Sequence, residues 1–181
     1  MKKKLPNILL HTCCMSCGAN IVNELTQGYN VTLYFYNPSI FPLFEYNKRL
    51  NETIKIAKEF NYKLIIADYD HKYWEKIIKG FELEAERGER CKICYHDRLQ
   101  KTRDLALTMK FDYFTTTLTV SPHKDSKTIL NFGLELVKDA DIKFLNKDFK
   151  KDDGFKKAVT LSKELNLYRQ TYCGCQYSIK K

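Results

Sequence analysis

Asn7-Ile8-Leu9-Leu10-His11-Thr12-Cys13-Cys14 is the stretch that decides the fold. Its short apolar run reads as a buried strand over Asn7–His11 that runs directly into two adjacent cysteines. Ala19–Leu25 then reads as a helix closed by Gln27-Gly28, and Tyr29–Tyr36, rich in β-branched and aromatic residues, as a strand ended by Asn37-Pro38. The alternation continues with a helix over Phe44–Phe60, a strand over Tyr62–Ala67 and a helix over Tyr73–Lys79. After a polar stretch ending in Gly88 come a helix over Cys94–Lys110 and a strand over Phe111–Thr117, stopped by Ser121-Pro122. Thr128–Leu136, Ile142–Leu145 and a last helix over Gly154–Leu165 complete the pattern. Strands alternating with helices predict an α/β fold: a single layered domain with a mainly parallel, Rossmann-like sheet and flanking helices. Ligands of such sheets gather beyond the carboxyl ends of the strands, which is where Cys13-Cys14 falls.

Nothing in the composition divides the chain. Its 181 residues match one domain at ~150 residues per domain, without linker, repeat or low-complexity stretch. Hydrophobic residues at 44% and aromatics at 13% suit a packed core rather than a disordered chain. The 31 basic residues against 22 acidic ones leave a net charge of +9, which favours an anionic partner, nucleic acid being the commonest. A lysine-rich solvated surface gives the same count. Met1-Lys2-Lys3-Lys4 precedes an apolar run too short for a signal-peptide core, and no segment approaches the ~20 apolar residues of a membrane span. A cytoplasmic protein is expected, without a membrane partner. The absence of a glycine-rich dinucleotide fingerprint argues against bound nicotinamide or flavin.

Structural disulfides are rare in the cytoplasm, so seven cysteines call for metal or redox chemistry. They fall into Cys13-Cys14-x-x-Cys17, Cys91-x-x-Cys94 and Cys173-Gly174-Cys175. Cys14, Cys17, Cys91 and Cys94 suit a closed zinc site, and four of the seven suit an iron–sulfur cluster. Spacing alone leaves both open. Burial as small apolar residues explains one or two cysteines but not the tight groups. The C-x-C pair argues for redox work, because two sulfurs this close form a strained ring, and strained disulfides are the labile ones; Gly174 supplies the backbone freedom such a ring needs. A zinc-stabilised RNA-binding module without catalysis gives this pair no role. A thiol oxidoreductase acting on proteins would show a thioredoxin-like order, which is missing.

Together the motifs resemble the epoxyqueuosine reductase family of the QueH type, over nearly the whole chain. The resemblance rests on Leu10-His11-Thr12-Cys13-Cys14, Tyr36-Asn37-Pro38-Ser39-Ile40 with Pro42, and Glu45-Tyr46 with Arg49. It continues in Cys91-x-x-Cys94-Tyr95 with Arg98-Leu99, Thr115-Thr116-Thr117-Leu118, Ser121-Pro122 and Asp148-Phe149-Lys150-Lys151. Its most specific block is Tyr168-Arg169-Gln170-x-Tyr172-Cys173-Gly174-Cys175-x-Tyr177-Ser178. The resemblance implies an oxidoreductase that removes the epoxide oxygen of epoxyqueuosine at the transfer-RNA wobble position, the last step of queuosine biosynthesis, without cobalamin. It implies a [4Fe-4S] cluster on Cys13, Cys14, Cys91 and Cys94, a redox-active pair in Cys173 and Cys175, and an external electron donor. One catalytic domain would span residues 1–181, with the redox tail 168–178 packed near the cluster. Met15-Ser16 stand where the family often has a small residue and proline, and the family sometimes has aspartate at the position of Cys17. Cys17 is read as ligand to a second, adjacent metal, an additional mononuclear iron.

Epoxide opening to an alkene takes two electrons and two protons and releases water, so a proton donor is needed beside the sulfurs. His11, Tyr95, His96 and Asp97 are candidates by nearness to the ligands, Asp97 being carried forward as catalytic; His11 also suits a satisfied core histidine, and His96 and Asp97 the first turn of a helix. Transfer-RNA binding calls for cations on phosphates and aromatic rings under unpaired bases. Tyr36, Arg49 and Arg169, with Tyr46 and Tyr168, are the candidates, although a tyrosine in such a place is more often core than platform.

Overall fold

In the computed structural model, which describes residues 4–179, the opening strand β1 (Asn7–His11) is the middle of a five-stranded sheet. Met1-Lys2-Lys3 and Lys180-Lys181 lie outside the described residues, so the expectation about the basic start is untouched. Ile8, Leu9 and Leu10 are 0% exposed, and the period-two alternation of a strand sends them to opposite faces. Ile8 and Leu10 join Ile21, Val22, Ile56 and Ala158 in one core, while Leu9 joins Leu99, Phe114 and Ile129 in another. A strand covered on both faces reads as a near-continuous apolar run, here Ile8-Leu9-Leu10.

The remaining strands are β2 (Asn30–Phe35), β3 (Lys63–Ile66), β4 (Tyr113–Thr116) and β5 (Lys143–Phe144), in the order β3-β2-β1-β4-β5, every pairing parallel. Helix α1 (Met15–Leu25) packs on α6 (Gly154–Glu164) and α2 (Leu43–Glu59) against one face; α4 (Glu89–Thr108) and α5 (Ser126–Glu135) cover the other, and α3 (His71–Ile77) follows β3. The strand order reverses between β1 and β4, and there the loops leave in opposite directions and open a crevice. Among the described residues no helix is long and apolar enough to cross a membrane.

Two boundaries differ from the sequence reading. Helix α1 begins at Met15 rather than Ala19, with Cys14 the extended residue before it (φ −169°, ψ 153°), so Cys17 sits in its first turn. Helix α4 begins at Glu89, after Gly88, rather than at Cys94. Cys91 and Cys94 therefore share one helical turn, and Asp97 lies mid-helix rather than in a first turn. The start was hidden because the buried face of α4 carries Arg90, Asp97, Arg98 and Thr102 alongside Leu99 and Ala106, so no apolar period marks it.

Candidate active site

The end of β1 is fixed before any sulfur is placed. His11 is fully buried; its Nε2 lies 3.0 Å from the Tyr36 carbonyl and its Nδ1 2.8 Å from Thr116 Oγ1. A carbonyl only accepts, so Nε2 carries the proton and Nδ1 accepts from the threonine hydroxyl. Burial, helped by the nearby Arg98 charge, pushes this imidazole down to about 3. His11 is a satisfied neutral strut and not a proton donor. Asn37 Nδ2 donates to the Thr12 carbonyl at 2.9 Å and locks the next residue.

Cys13 and Cys14 follow, both buried, with sulfurs 3.8 Å apart. Thr117, just beyond β4, reaches across: its Oγ1 accepts from the Cys13 amide at 3.3 Å and lies 3.6 Å from Cys13 Sγ. The thiol contact with Cys14, then burial, push the Cys13 thiol well up, whereas a hydrogen bond from Cys14 holds the Cys17 thiol low. Sulfurs this crowded cannot all ionise unless a cation joins them, and metal binding releases such protons. Cys91 and Cys17 pack at the edge of the same core as Cys13 and Cys14, and the Arg87 amide lies 3.3 Å from Cys91 Sγ.

Cations face this sulfur set. Arg98 is 4% exposed, one turn after Cys94, and its buried Nε has no hydrogen-bond partner. Burial opposes its charge, but Cys94, Cys13 and Cys173 hold it well above the usual arginine value. Lys124 is likewise opposed by burial and held up by Cys173 and Cys13. Among the described residues neither cation has a carboxylate at ion-pair distance. A buried cation such as Arg98 needs an anion, and a thiolate-held iron–sulfur cluster supplies one. The chemistry of the set, crowded thiols with cations facing them, fits a thiolate-held metal group.

The C-terminal segment closes the site. Gln170 Nε2 lies 3.1 Å from Cys14 Sγ and 3.8 Å from Cys17 Sγ, while Ser16 Oγ donates to Gln170 Oε1 at 2.9 Å. A cleft of about 270 Å³ opens there, lined by Cys13, Cys17, Lys124, Arg169, Gln170 and Cys173 among others. Cys173 and Cys175 are free thiols, the first exposed and the second half-buried, and burial pushes Cys175 up to about 11.

The model of the family described as epoxyqueuosine reductase QueH matches residues 8–181. The chain belongs to the epoxyqueuosine reductase QueH family. It is 40% identical over 181 residues to epoxyqueuosine reductase QueH of Streptococcus pyogenes, covering 97% of this chain and 71% of that protein. To the Haemophilus influenzae protein of the same name it is 38% identical over 185 residues, covering 99% and 76%. Among solved structures it is similar to the U34-tRNA thiolase NcsA from Methanococcus maripaludis with its [4Fe-4S] cluster (TM-score 0.60, 14% identity). That match covers 98% of this chain and 63% of the thiolase, and at this identity it shows the fold alone.

In this QueH-family chain the other sequence-derived candidates divide. Arg169 is exposed and lines the cleft. Tyr36 is 7% exposed, stacked on Tyr34 with its hydroxyl donating to Asp97 Oδ2 at 2.9 Å; it is a packed residue rather than an open stacking platform. Asp97 also accepts from Tyr73 at 3.0 Å, so both its oxygens hold tyrosines and neither faces the cleft as a donor. Arg49 is 1% exposed and turned away from solvent, so it does not offer itself to phosphate. His96 stands edge-on to Phe132 of α5, and Tyr95 is buried. Residue-by-residue reading missed Thr117, Lys124, Arg98 and Gln170 as partners of the sulfurs. All but Lys124 lie in motif blocks, yet only the fold sets them against cysteines remote in sequence.

Proposed function

We propose that this chain reduces epoxyqueuosine in transfer RNA to queuosine, the last step of queuosine biosynthesis. The observation that carries the proposal is the single cleft that Cys13 and Cys17 share with Cys173 of the C-terminal pair, in a chain of this family. In this reading Cys13, Cys14, Cys91 and Cys94 hold a [4Fe-4S] cluster, and Cys17 binds an additional mononuclear iron. The metal group, when bound, supplies one-electron transfer and a Lewis acid for the departing oxygen. Cys173 and Cys175 supply the rest of the balance. Oxidation of two thiols to a disulfide yields two electrons and two protons, which converts an epoxide into an alkene and water. An external donor then returns the pair to the dithiol.

The side chains lining the cleft support this division. Lys124 lines the cleft, and its cation would offset charge developing on a leaving oxygen there. Arg169, exposed at the cleft, offers a cation to an anionic substrate. Gln170 spans from the tail to Cys14, so the dithiol segment and the cluster ligands are held in one frame.

The test is the spectrum of anaerobically purified protein with iron, sulfide and zinc assays, followed by turnover of epoxyqueuosine-containing transfer RNA. A broad band near ~400 nm bleached by dithionite, with matching iron and sulfide, is the expected result. Colourless protein with stoichiometric zinc and no gain on iron–sulfide reconstitution overturns the proposal in favour of a closed structural site.

A further inference from the structure

Helix α2 carries an unusual stripe. Glu45, Lys48, Arg49 and Glu52 recur at helical spacing and so share one face. Such a charged stripe ordinarily meets water. Here Glu45 and Arg49 are 2% and 1% exposed, and the C-terminal segment lies over them. Tyr168 is fixed at three points: its amide donates to Glu52 Oε2 at 3.1 Å, its hydroxyl to Glu45 Oε2 at 2.8 Å, and Lys48 Nζ stands 3.8 Å above its ring. Arg49 uses its whole fork. Nε donates to Glu45 Oε1 at 2.7 Å, Nη1 to the Cys173 carbonyl at 3.0 Å and Nη2 to the Tyr172 carbonyl at 3.3 Å. The Phe41 amide takes the next carbonyl, that of Gly174, at 2.8 Å.

Successive carbonyls of residues 172, 173 and 174 are thus held from the protein body. Gly174 sits in the middle with φ +121°, and a Cβ there would lie 3.0 Å from Arg49 Nη1 and 3.1 Å from Ile40 Cγ1. Only a guanidinium reaches a carboxylate and two carbonyls at once; an ammonium is a point donor. We infer that Arg49 is a positioning residue for the Cys173/Cys175 dithiol: it clamps the backbone of the reduced pair and thereby sets how readily the pair closes to a disulfide. The inference rests on the reading of Cys173 and Cys175 as redox-active. Both sulfurs are free where the clamp is seated. On this inference, ring closure turns the peptide units around Gly174 whose carbonyls are held, and the clamp favours the dithiol.

The experiment equilibrates the iron-loaded protein in glutathione redox buffers and quantifies the Cys173–Cys175 disulfide by mass spectrometry after acid trapping. Arg49→Met leaves Glu45 buried without its cation, so Arg49→Lys and the double variant Glu45→Gln/Arg49→Met are measured beside it. The expected result is a shift of about tenfold toward the disulfide, about 30 mV, in Arg49→Lys and in the double variant, with iron content and transfer-RNA affinity unchanged. Lysine fails to restore the equilibrium because the fork, not the charge, is required. A wild-type equilibrium constant in both folded variants overturns the inference, and weakened transfer-RNA binding in its place returns Arg49 to phosphate contact. If the unsubstituted protein never forms the disulfide, the dithiol reading falls and the inference falls with it.

Discussion

The Cys13-Cys14-Cys17 group and the Cys173-Gly174-Cys175 group are both sulfur-rich, yet they are built in opposite ways. The first grows from the middle strand of the sheet into the first turn of α1, with His11, Thr12 and Thr117 locking the backbone around it. The second has no strand or helix under its cysteines and is kept in place by side chains borrowed from α2. A rigid frame suits atoms that must hold a charged group without reorganising. A segment held by a few hydrogen bonds can change conformation at small cost, as oxidation and reduction of a dithiol demand. In the proposed function this difference separates holding from cycling.

The sharpest way to break this comparison is to remove one cysteine from each side. Cys14→Ala is expected to lose the ~400 nm band with its iron, and turnover falls by more than about 100-fold, beyond the cost of losing even an outer partner of a metal ligand. Cys173→Ser is expected to keep band and iron while losing turnover, because one thiol cannot supply two electrons. Iron analysis and repeated-turnover assays on both proteins check this; loss of iron from Cys173→Ser would erase the division.

A smaller effect is expected at Gly174. Alanine there meets Arg49 and Ile40 at a positive φ, a strain of about 1–3 kcal/mol. The tail should leave its seat, so Cys173 and Cys175 alkylate faster in native protein while the thermal midpoint of the body stays. Alkylation followed by mass spectrometry reads it, and unchanged protection would mean that the tail is held by something other than its carbonyls.

The smallest effects compare a body residue with a tail residue, both of which the sequence offers as RNA contacts. Arg169→Ala is expected to weaken transfer-RNA binding and reduce the log–log salt slope by about 1. Tyr36→Phe is expected to leave binding alone and cost about 1 kcal/mol of stability through the lost Asp97 bond. Binding titrations at several salt concentrations, with thermal unfolding, separate the two; equal loss of binding in both would put Tyr36 back at the RNA surface.

How legible the molecule was varies with what each residue faces. Strands β1, β2 and β4 were legible because buried strands are rich in apolar, aromatic and β-branched residues, and the α/β alternation followed from them. The start of α4 was not, because its buried face is built from Arg90, Asp97, Arg98 and Thr102, which read as surface. Arg49 reads as a surface cation for the same reason: a charge in a sequence carries no mark of whether water or a carbonyl will meet it.

The sequence by itself determined the parallel α/β layering, the grouping of the cysteines and the family, since these depend on local periodicity and spacing. Tertiary structure alone decided that Gln170 meets Cys14, that Thr117 meets Cys13, and that Arg49 turns inward to the tail. Those contacts join residues separated by 156, 104 and 124 positions. Only the burial of apolar faces that folds the sheet brings them together, and no local pattern encodes it.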